Sequence, residues 1–420
     1  MNQSSLRDLF LAISAKHLTP TDADPEVSHG HEIGGLSSMR KCWGDIQDRR
    51  DIPARFVYLG NTEEDTIQAS GWISWYDSRK MKQTRSPEWR IYYKDNDVTQ
   101  LMRAGDFILL AQLKDGSPLL VIAPASSGGE FKIRLLFGID KISAHGHIQF
   151  YDRMTSVPLD FQSRFVLDAL GIEYDFDDQN LISMITDAFG NSFPTTREFS
   201  DFAQKCATKR SSPTPLDIGP DELLMQWYEM EELLFRTLEK TIITHRLKVP
   251  FLDSDEFIDF AKSVMNRRSA RAGFALENHV ETILIRNGIQ YTRGATTENK
   301  SKPDFIFPSV DHYRDANFPS ELLTMLAVKS SCKDRWRQAL TEADRISNMK
   351  HLLTLEPSIS INQTSEMQSR RLQLVVPLKL HDTFSPGQRS WLWSLERFTE
   401  HLKELQAKAP NSRPLLPMGK

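Results

Sequence analysis

Apolar and polar residues follow two rhythms along this chain. Residues 5–16 place Leu6, Phe10, Leu11 and Ile13 near helical spacing and predict a short amphipathic helix. Beyond a loop rich in Asp, Pro, Gly and His, the repeat shortens. Arg55-Phe56-Val57-Tyr58-Leu59 and Gly71-Trp72-Ile73-Ser74-Trp75-Tyr76 read as strands. Asp106 to Leu113 and Leu119 to Ala123 flank Lys114-Asp115-Gly116-Ser117-Pro118, whose Asp-Gly predicts a hairpin turn. Short strands joined by turns predict a barrel or sandwich over residues 1–172.

The rhythm changes again further on. Glu173 to Asn180 is acidic and poor in aliphatics, which predicts a linker over 173–180, although the polar stretch 205–219 is a rival boundary. Phe193-Pro194-Thr195-Thr196 reads as a capped helix start. Pro220-Asp221-Glu222-Leu223 opens a long helix to about His245, with Pro and two acids suiting its first turn. A helix from Ser254 to about Met265 and another over Phe274 to Leu284 are expected on either side of 266–273. Short strands are expected after Asp304, at 322–328, at 352–355 and at 372–376, with a closing helix from Trp391 to Leu405. Residues 333–346 predict a helix that packs Trp336, Ala339, Leu340, Ala343 and Ile346 inward. Asp334, Gln338 and Glu342 would form a polar row beside them.

Bulk properties narrow this picture only a little. The chain has 420 residues, 40% hydrophobic and 26% charged, enough for two domains with their own cores. The net charge of −4 gives no global basic field. Cys42, Cys206 and Cys332 lie far apart, without the pairing of a zinc site or disulfide framework. No apolar run approaches a membrane span, and the N-terminus lacks a signal-peptide profile. A cytoplasmic protein without membrane contact is expected.

The chemistry concentrates in residues 303–342. Asp304 leads one strand and Lys329 ends the next. Mg²⁺ prefers oxygen ligands and keeps several waters, so one or two carboxylates suffice for phosphodiester hydrolysis. Ala327 stands where nuclease patterns usually place an acid two residues before the lysine. Glu342 is the best-placed substitute, and Glu277 is a candidate supporting acid on the preceding helix, or simply a solvent-facing one. Lys333-Asp334-Arg335 is fitted to G·C pairs, since Arg or Lys can bond guanine O6 and N7 and Asp can accept from cytosine N4. Arg267, Arg268 and Arg271 at a helix entrance could hold phosphates. So could the loop 79–90, with Arg79, Lys80, Lys82, Arg85 and Arg90, although such charge runs are more often solvated surface loops.

Pro303-Asp304-Phe305-Ile306-Phe307-Pro308-Ser309, Tyr313, Met325 to Lys329, Cys332 to Gln338 and Glu342-Ala343-Asp344 resemble the catalytic domain of EcoRII-type restriction endonucleases. The resemblance extends back through Asn266-Arg267-Arg268, Arg271-Ala272-Gly273 and Leu276-Glu277. More faintly, Gly30-His31-Glu32-Ile33-Gly34 and Tyr76-Asp77-Ser78-Arg79 resemble the effector domain of the same family. The implied fold is α/β: a C-terminal PD-(D/E)xK restriction-endonuclease-like α/β/α domain over 181–420 and an N-terminal mainly-β DNA-binding pseudobarrel. The implied enzyme is a Mg²⁺-dependent homodimer that cuts double-stranded DNA at sites of the CCWGG or CCNGG kind. Its effector domain binds a further site, and a cognate DNA methyltransferase shields the host. The family's catalytic Asp, Lys and displaced Glu fall on Asp304, Lys329 and Glu342, with Tyr313 in the matching stretch, and its base readers fall on Lys333, Asp334 and Arg335, with Arg337 close by; Asp304 and Glu342 are the expected metal ligands, with Glu277 the candidate third. Its effector contacts suggest His31, Arg79, Lys82, Arg85, Glu88 and Arg90. On the long helix, Trp227, Tyr228 and Glu232 replace an arginine-rich run expected to face the central base pair. A structure-selective nuclease on the same core and a non-catalytic DNA-binding regulator are the alternatives.

Overall fold

The computed structural model describes residues 2–3, 5–24, 30–34, 39–43, 50–60, 66–81, 85–142, 147–150, 159–174, 176–177, 179–190, 192–210, 218–332 and 335–409. The chain forms two compact units, 1–177 and 178–420.

The first unit holds strands β1 (Asn2–Gln3), β2 (Phe10–His17), β3 (Glu32–Ile33), β4 (Arg50–Tyr58), β5 (Ile67–Asp77), β6 (Trp89–Tyr93), β7 (Phe107–Leu113), β8 (Pro118–Ala123), β9 (His147–Phe150) and β10 (Phe176–Asp177). Eight of them form one curled sheet in the order β3-β6-β5-β4-β8-β7-β2-β9. Neighbours run antiparallel except β4 and β8. Both faces of the sheet are covered. Phe107, Leu109 and Ala111 join one core with Ile133, Leu136, Val166 and Leu167 from the helices Gly128–Phe137 and Phe161–Ala169. Ile108 and Leu110 point into a second core with Trp75, Trp89 and Ile91. Burial on two faces explains why β7 and β8 read as continuous apolar runs rather than alternating ones.

The helix expected over 5–16 is corrected: only Leu6–Leu9 is helical, and Phe10–His17 is strand β2. Local spacing lost to tertiary pairing, because β2 bonds to β7 on one side and β9 on the other. The stretch 173–180 includes β10, which pairs with β1, and the start of the helix Gln179–Phe189.

The second unit is mixed α/β. Its sheet contains β11 (Thr292–Arg293), β12 (Phe305–Phe307), β13 (Thr324–Lys329), β14 (Lys350–Thr354) and β15 (Leu372–Val375), in that spatial order. β12 pairs antiparallel with β11 and with β13, whereas β13, β14 and β15 are mutually parallel. Helices Thr196–Arg210, Pro220–Leu247 and Ser254–Arg286 pack on one another. The first begins with the expected cap: Thr195 Oγ1 and N both donate to Glu198 Oε2.

Two helix expectations are corrected here. Ser254–Arg286 is one continuous helix of 33 residues, not two. Residues 266–273 contain no proline, and Gly273 costs a helix only about 1 kcal/mol. The Arg268 guanidinium also ties this stretch to buried Glu239 on the neighbouring helix, at 2.6 Å. Of the helix expected over 333–346, the described residues form only one short piece, Trp336–Leu340. Trp336, Ala339, Ala343 and Ile346 are buried as expected, but Ala343 has φ of +53°, so the chain turns rather than coils there. The polar row ending at Glu342 therefore does not exist as a helix face.

Candidate active site

Strands β12 and β13 are core elements, with Phe305, Ile306, Phe307, Met325, Leu326, Ala327 and Val328 buried. Only their ends carry polar side chains. The pairing of Phe305 with Leu326 brings Asp304 beside the end of β13. There Val328 N–H donates to Asp304 Oδ2 at 2.7 Å, and Lys329 Nζ donates to the same oxygen at 2.9 Å. An aspartate and a lysine 25 positions apart in sequence are thus one ion pair.

Glu342 completes the cluster from the turn after Trp336–Leu340. Its Oε2 is buried with no hydrogen-bond partner. Burial, then the charge of Asp304, pushes its carboxyl up to about 7, against the opposing pull of Lys329 and Lys350. Two carboxylates that repel each other, one with an orphaned oxygen, form an oxygen donor set that suits a hard divalent cation. Among the described residues no group of three or more His, Cys, Asp or Glu side chains forms a ready cage. Mg²⁺ needs none, because it retains waters and takes substrate oxygens.

Glu277 approaches from the long helix. Burial, then Asp304, raises its carboxyl above the usual range, while Arg293 and Lys329 oppose the rise. Its Oε2 is bonded to Arg293 Nη2 at 2.9 Å, and the same guanidinium bonds Asn278 Oδ1 and Glu281 Oε2. Glu277 therefore borders the cluster with one oxygen already engaged.

Tyr313 is buried. Its hydroxyl donates to Glu298 Oε2 at 2.5 Å and accepts from Arg345 N at 3.2 Å. Arg345 Nη2 donates to Phe318 O at 2.7 Å. The tyrosine thus anchors the segment that follows Glu342.

The expected DNA contacts fare differently. Lys333, Asp334 and Lys82 lie outside the described residues. Arg335 is exposed at the start of Trp336–Leu340, and Arg337 pairs with Glu366 at 3.1 Å. The expected helix entrance at Arg267, Arg268 and Arg271 is corrected: all three lie mid-helix, where backbone N–H groups are already bonded. Arg267 lies over the Phe193 ring, Arg268 pairs with Glu239, and buried Arg271 lies over Phe235.

In the first unit, four charged residues join at the edge formed by β3 and β6. Arg90 bonds Glu32 Oε2 at 2.7 Å and Glu88 Oε1 at 3.3 Å, and Arg79 bonds Glu88 Oε2 at 2.8 Å. Burial acts to raise Glu88, yet Arg90 and Arg79 together hold its carboxyl below the usual range. His31 packs on Tyr93 at 5.3 Å, with its Nδ1 buried and unbonded. Arg85 is exposed.

Sequence reasoning missed Lys350, Arg293 and Glu356. Lys350 Nζ donates to Leu340 O at 2.8 Å and to Glu342 O, bracing the turn that carries Glu342. Glu356 lies within the run 351–360, all of it buried, and no local pattern marks it.

The family described as EcoRII C terminal matches residues 235–399. The type II restriction enzyme EcoRII of Escherichia coli is 40% identical over 394 residues, covering 92% of this chain and 93% of that protein. Among solved structures, the PspGI restriction endonuclease–substrate DNA complex is 17% identical, covers 53% of this chain and 96% of its own, and superposes with a TM-score of 0.42. Metal-depleted Ecl18kI in complex with uncleaved DNA is 17% identical, with coverages of 57% and 88% and a TM-score of 0.43. At those scores the two structural likenesses carry no argument. The sequence identity, which spans both units, does: the chain belongs to the EcoRII family of type II restriction endonucleases and is a site-specific DNA endonuclease.

Proposed function

We propose that this endonuclease makes Mg²⁺-dependent double-strand cuts at a short G·C-flanked site of the CCNGG or CCWGG kind. The observation that carries the proposal is identity to EcoRII along nearly the full length of both proteins. Asp304 and Glu342 would hold the cation, and Glu277 would border it. When bound, Mg²⁺ supplies charge neutralisation at the scissile phosphate. Lys329, fixed by Asp304 at 2.9 Å, places its ammonium against a phosphate oxygen and orients the attacking water. Tyr313 and Lys350 hold the Glu342 segment in register. Arg335, with Lys333 and Asp334, reads the outer G·C pairs.

The first unit serves as an effector domain that binds a further copy of the site through Arg79, Arg85, Glu88, Arg90 and His31. The Arg79–Glu88–Arg90–Glu32 network supports this, since paired carboxylates fix guanidinium forks for base edges. The enzyme works as a homodimer. Leu247, Val249, Leu252, Phe257 and Ile258 are exposed where the two long helices join, an apolar surface suited to a second copy. Among the described residues no helix is long and apolar enough to cross a membrane. The enzyme acts in the cytoplasm, beside a DNA methyltransferase of the same specificity.

Digestion of one-site and two-site plasmids with and without Mg²⁺, followed by sequencing of the ends, tests this. Discrete termini at one CCNGG-type sequence, with faster cutting of two-site plasmid, are expected. Scattered or junction-only cuts would favour a structure-selective nuclease, and equal rates on both plasmids would remove the effector role.

A further inference from the structure

A buried acid outside the catalytic cluster holds Ser331 and Cys332, which lie between Lys329 and Arg335 in the sequence. Glu356 is 3% exposed. It follows β14, two residues after Thr354, the strand partner of Lys329. Its Oε2 accepts from Cys332 N at 2.6 Å and lies 3.5 Å from Ser331 Oγ. Its own N–H donates to Thr354 Oγ1 at 3.2 Å. Burial of a carboxylate is costly unless hydrogen bonds hold it, and a charge-assisted bond to a backbone N–H is short and directional. This carboxylate thus grips the chain where it leaves β13, three residues after Lys329 and three before Arg335.

We propose that Glu356 is a positioning residue that sets base discrimination by fixing the Ser331–Cys332 turn between Lys329 and Arg335. The proposal rests on Arg335 being a reader. Cys332 is fully buried, and its N–H is the group Glu356 holds. A bidentate arginine-to-guanine contact tolerates displacements of only about 0.5 Å, so a loosened turn misplaces Arg335 before it unfolds anything. Lys329 is held independently by Asp304 and by β-pairing, so chemistry on an already bound site suffers less than recognition.

The test compares kcat/KM on duplexes carrying the site mapped by end sequencing with duplexes in which one outer G·C pair is replaced by A·T. Wild type, Glu356→Ala, Glu356→Gln, Arg335→Ala and the Glu356→Ala/Arg335→Ala double variant are measured, with Tm for each. Glu356→Ala should shrink the cognate-to-variant ratio by about 10-fold or more, mainly through KM, as expected for loss of one good base contact. Glu356→Gln keeps an amide oxygen for Cys332 N–H and should recover most of the ratio. The double variant should discriminate no worse than Arg335→Ala, since both changes remove the same contact. Should Glu356→Ala fail to fold, Glu356→Gln still decides through a partial fall in the ratio with an unchanged Tm. An unchanged ratio in both Glu356 variants, or additive losses in the double variant, overturns the positioning role while leaving Arg335 as a reader. An unchanged ratio in Arg335→Ala removes the reader itself and the proposal with it.

Discussion

Replacing Glu342 with Gln should stabilise the protein at alkaline pH while disabling it. In the metal-free fold, burial and Asp304 raise the Glu342 carboxyl from its ordinary 4.5 to about 7. Because the folded value exceeds the unfolded one, this group's contribution to stability is fully present below about pH 4.5 and is lost as pH rises through about 7. The difference corresponds to about 3 kcal/mol at 1.36 kcal/mol per pH unit. Partial solvent exposure lowers that to roughly 1.5 kcal/mol. Glutamine has nearly the shape of the protonated acid and carries no charge at any pH. Glu342→Gln should thus match wild type at pH 5 and exceed it by roughly 1.5 kcal/mol at pH 8. Urea unfolding of both proteins in EDTA at the two pH values measures this, with an unchanged slope required for the comparison. The same variant in Mg²⁺ should lose at least ~100-fold in cleavage, since even residues behind a metal ligand cost 10–100-fold when removed. Equal stability differences at both pH values would refute the strained carboxylate, and normal cutting would refute its role in the site.

Other expectations follow from neighbouring geometry. The Mg²⁺ concentration for half-maximal cleavage should rise about 10-fold per pH unit below about 7, because Glu342 must lose its proton to bind the ion; a flat dependence would argue against it. Tyr313→Phe removes the bonds to Glu298 and Arg345, so it should cost about 1 kcal/mol of stability and slow cleavage while leaving DNA affinity unchanged in gel-shift assays. His279 Nε2 lies 2.9 Å from Glu231 Oε2, with both side chains fully buried between the two long helices. His279→Ala should therefore cost about 3 kcal/mol in urea unfolding, and Glu231→Leu/His279→Leu should recover much of it.

The readability of this sequence depended on what each residue answers to. Strand runs such as 107–113 and 324–328 were legible because burial on both faces leaves a continuous apolar record. Pro220-Asp221-Glu222 marked a helix start because dipole and capping are local effects. Phe10–His17 misled, because its strand state comes from partners distant in sequence. Glu342 was expected on a helix and stands instead on the turn beyond one. The turn that carries it is braced by Lys350 and by Tyr313 through Arg345, contacts with no trace in local spacing. Glu356 was hidden for the same reason: its partner, Cys332 N–H, follows the neighbouring strand, 24 residues away in sequence.

The central claim is that Asp304, with Lys329 and Glu342, carries the cleavage chemistry of a site-specific endonuclease. Wild type and Asp304→Ala should be given the same plasmid with Mg²⁺, and the same cognate duplex for a gel shift in Ca²⁺. Wild type should yield discrete termini at one short sequence. Asp304→Ala should yield no termini yet shift the duplex with near wild-type affinity. Termini at the same positions from Asp304→Ala would contradict the account.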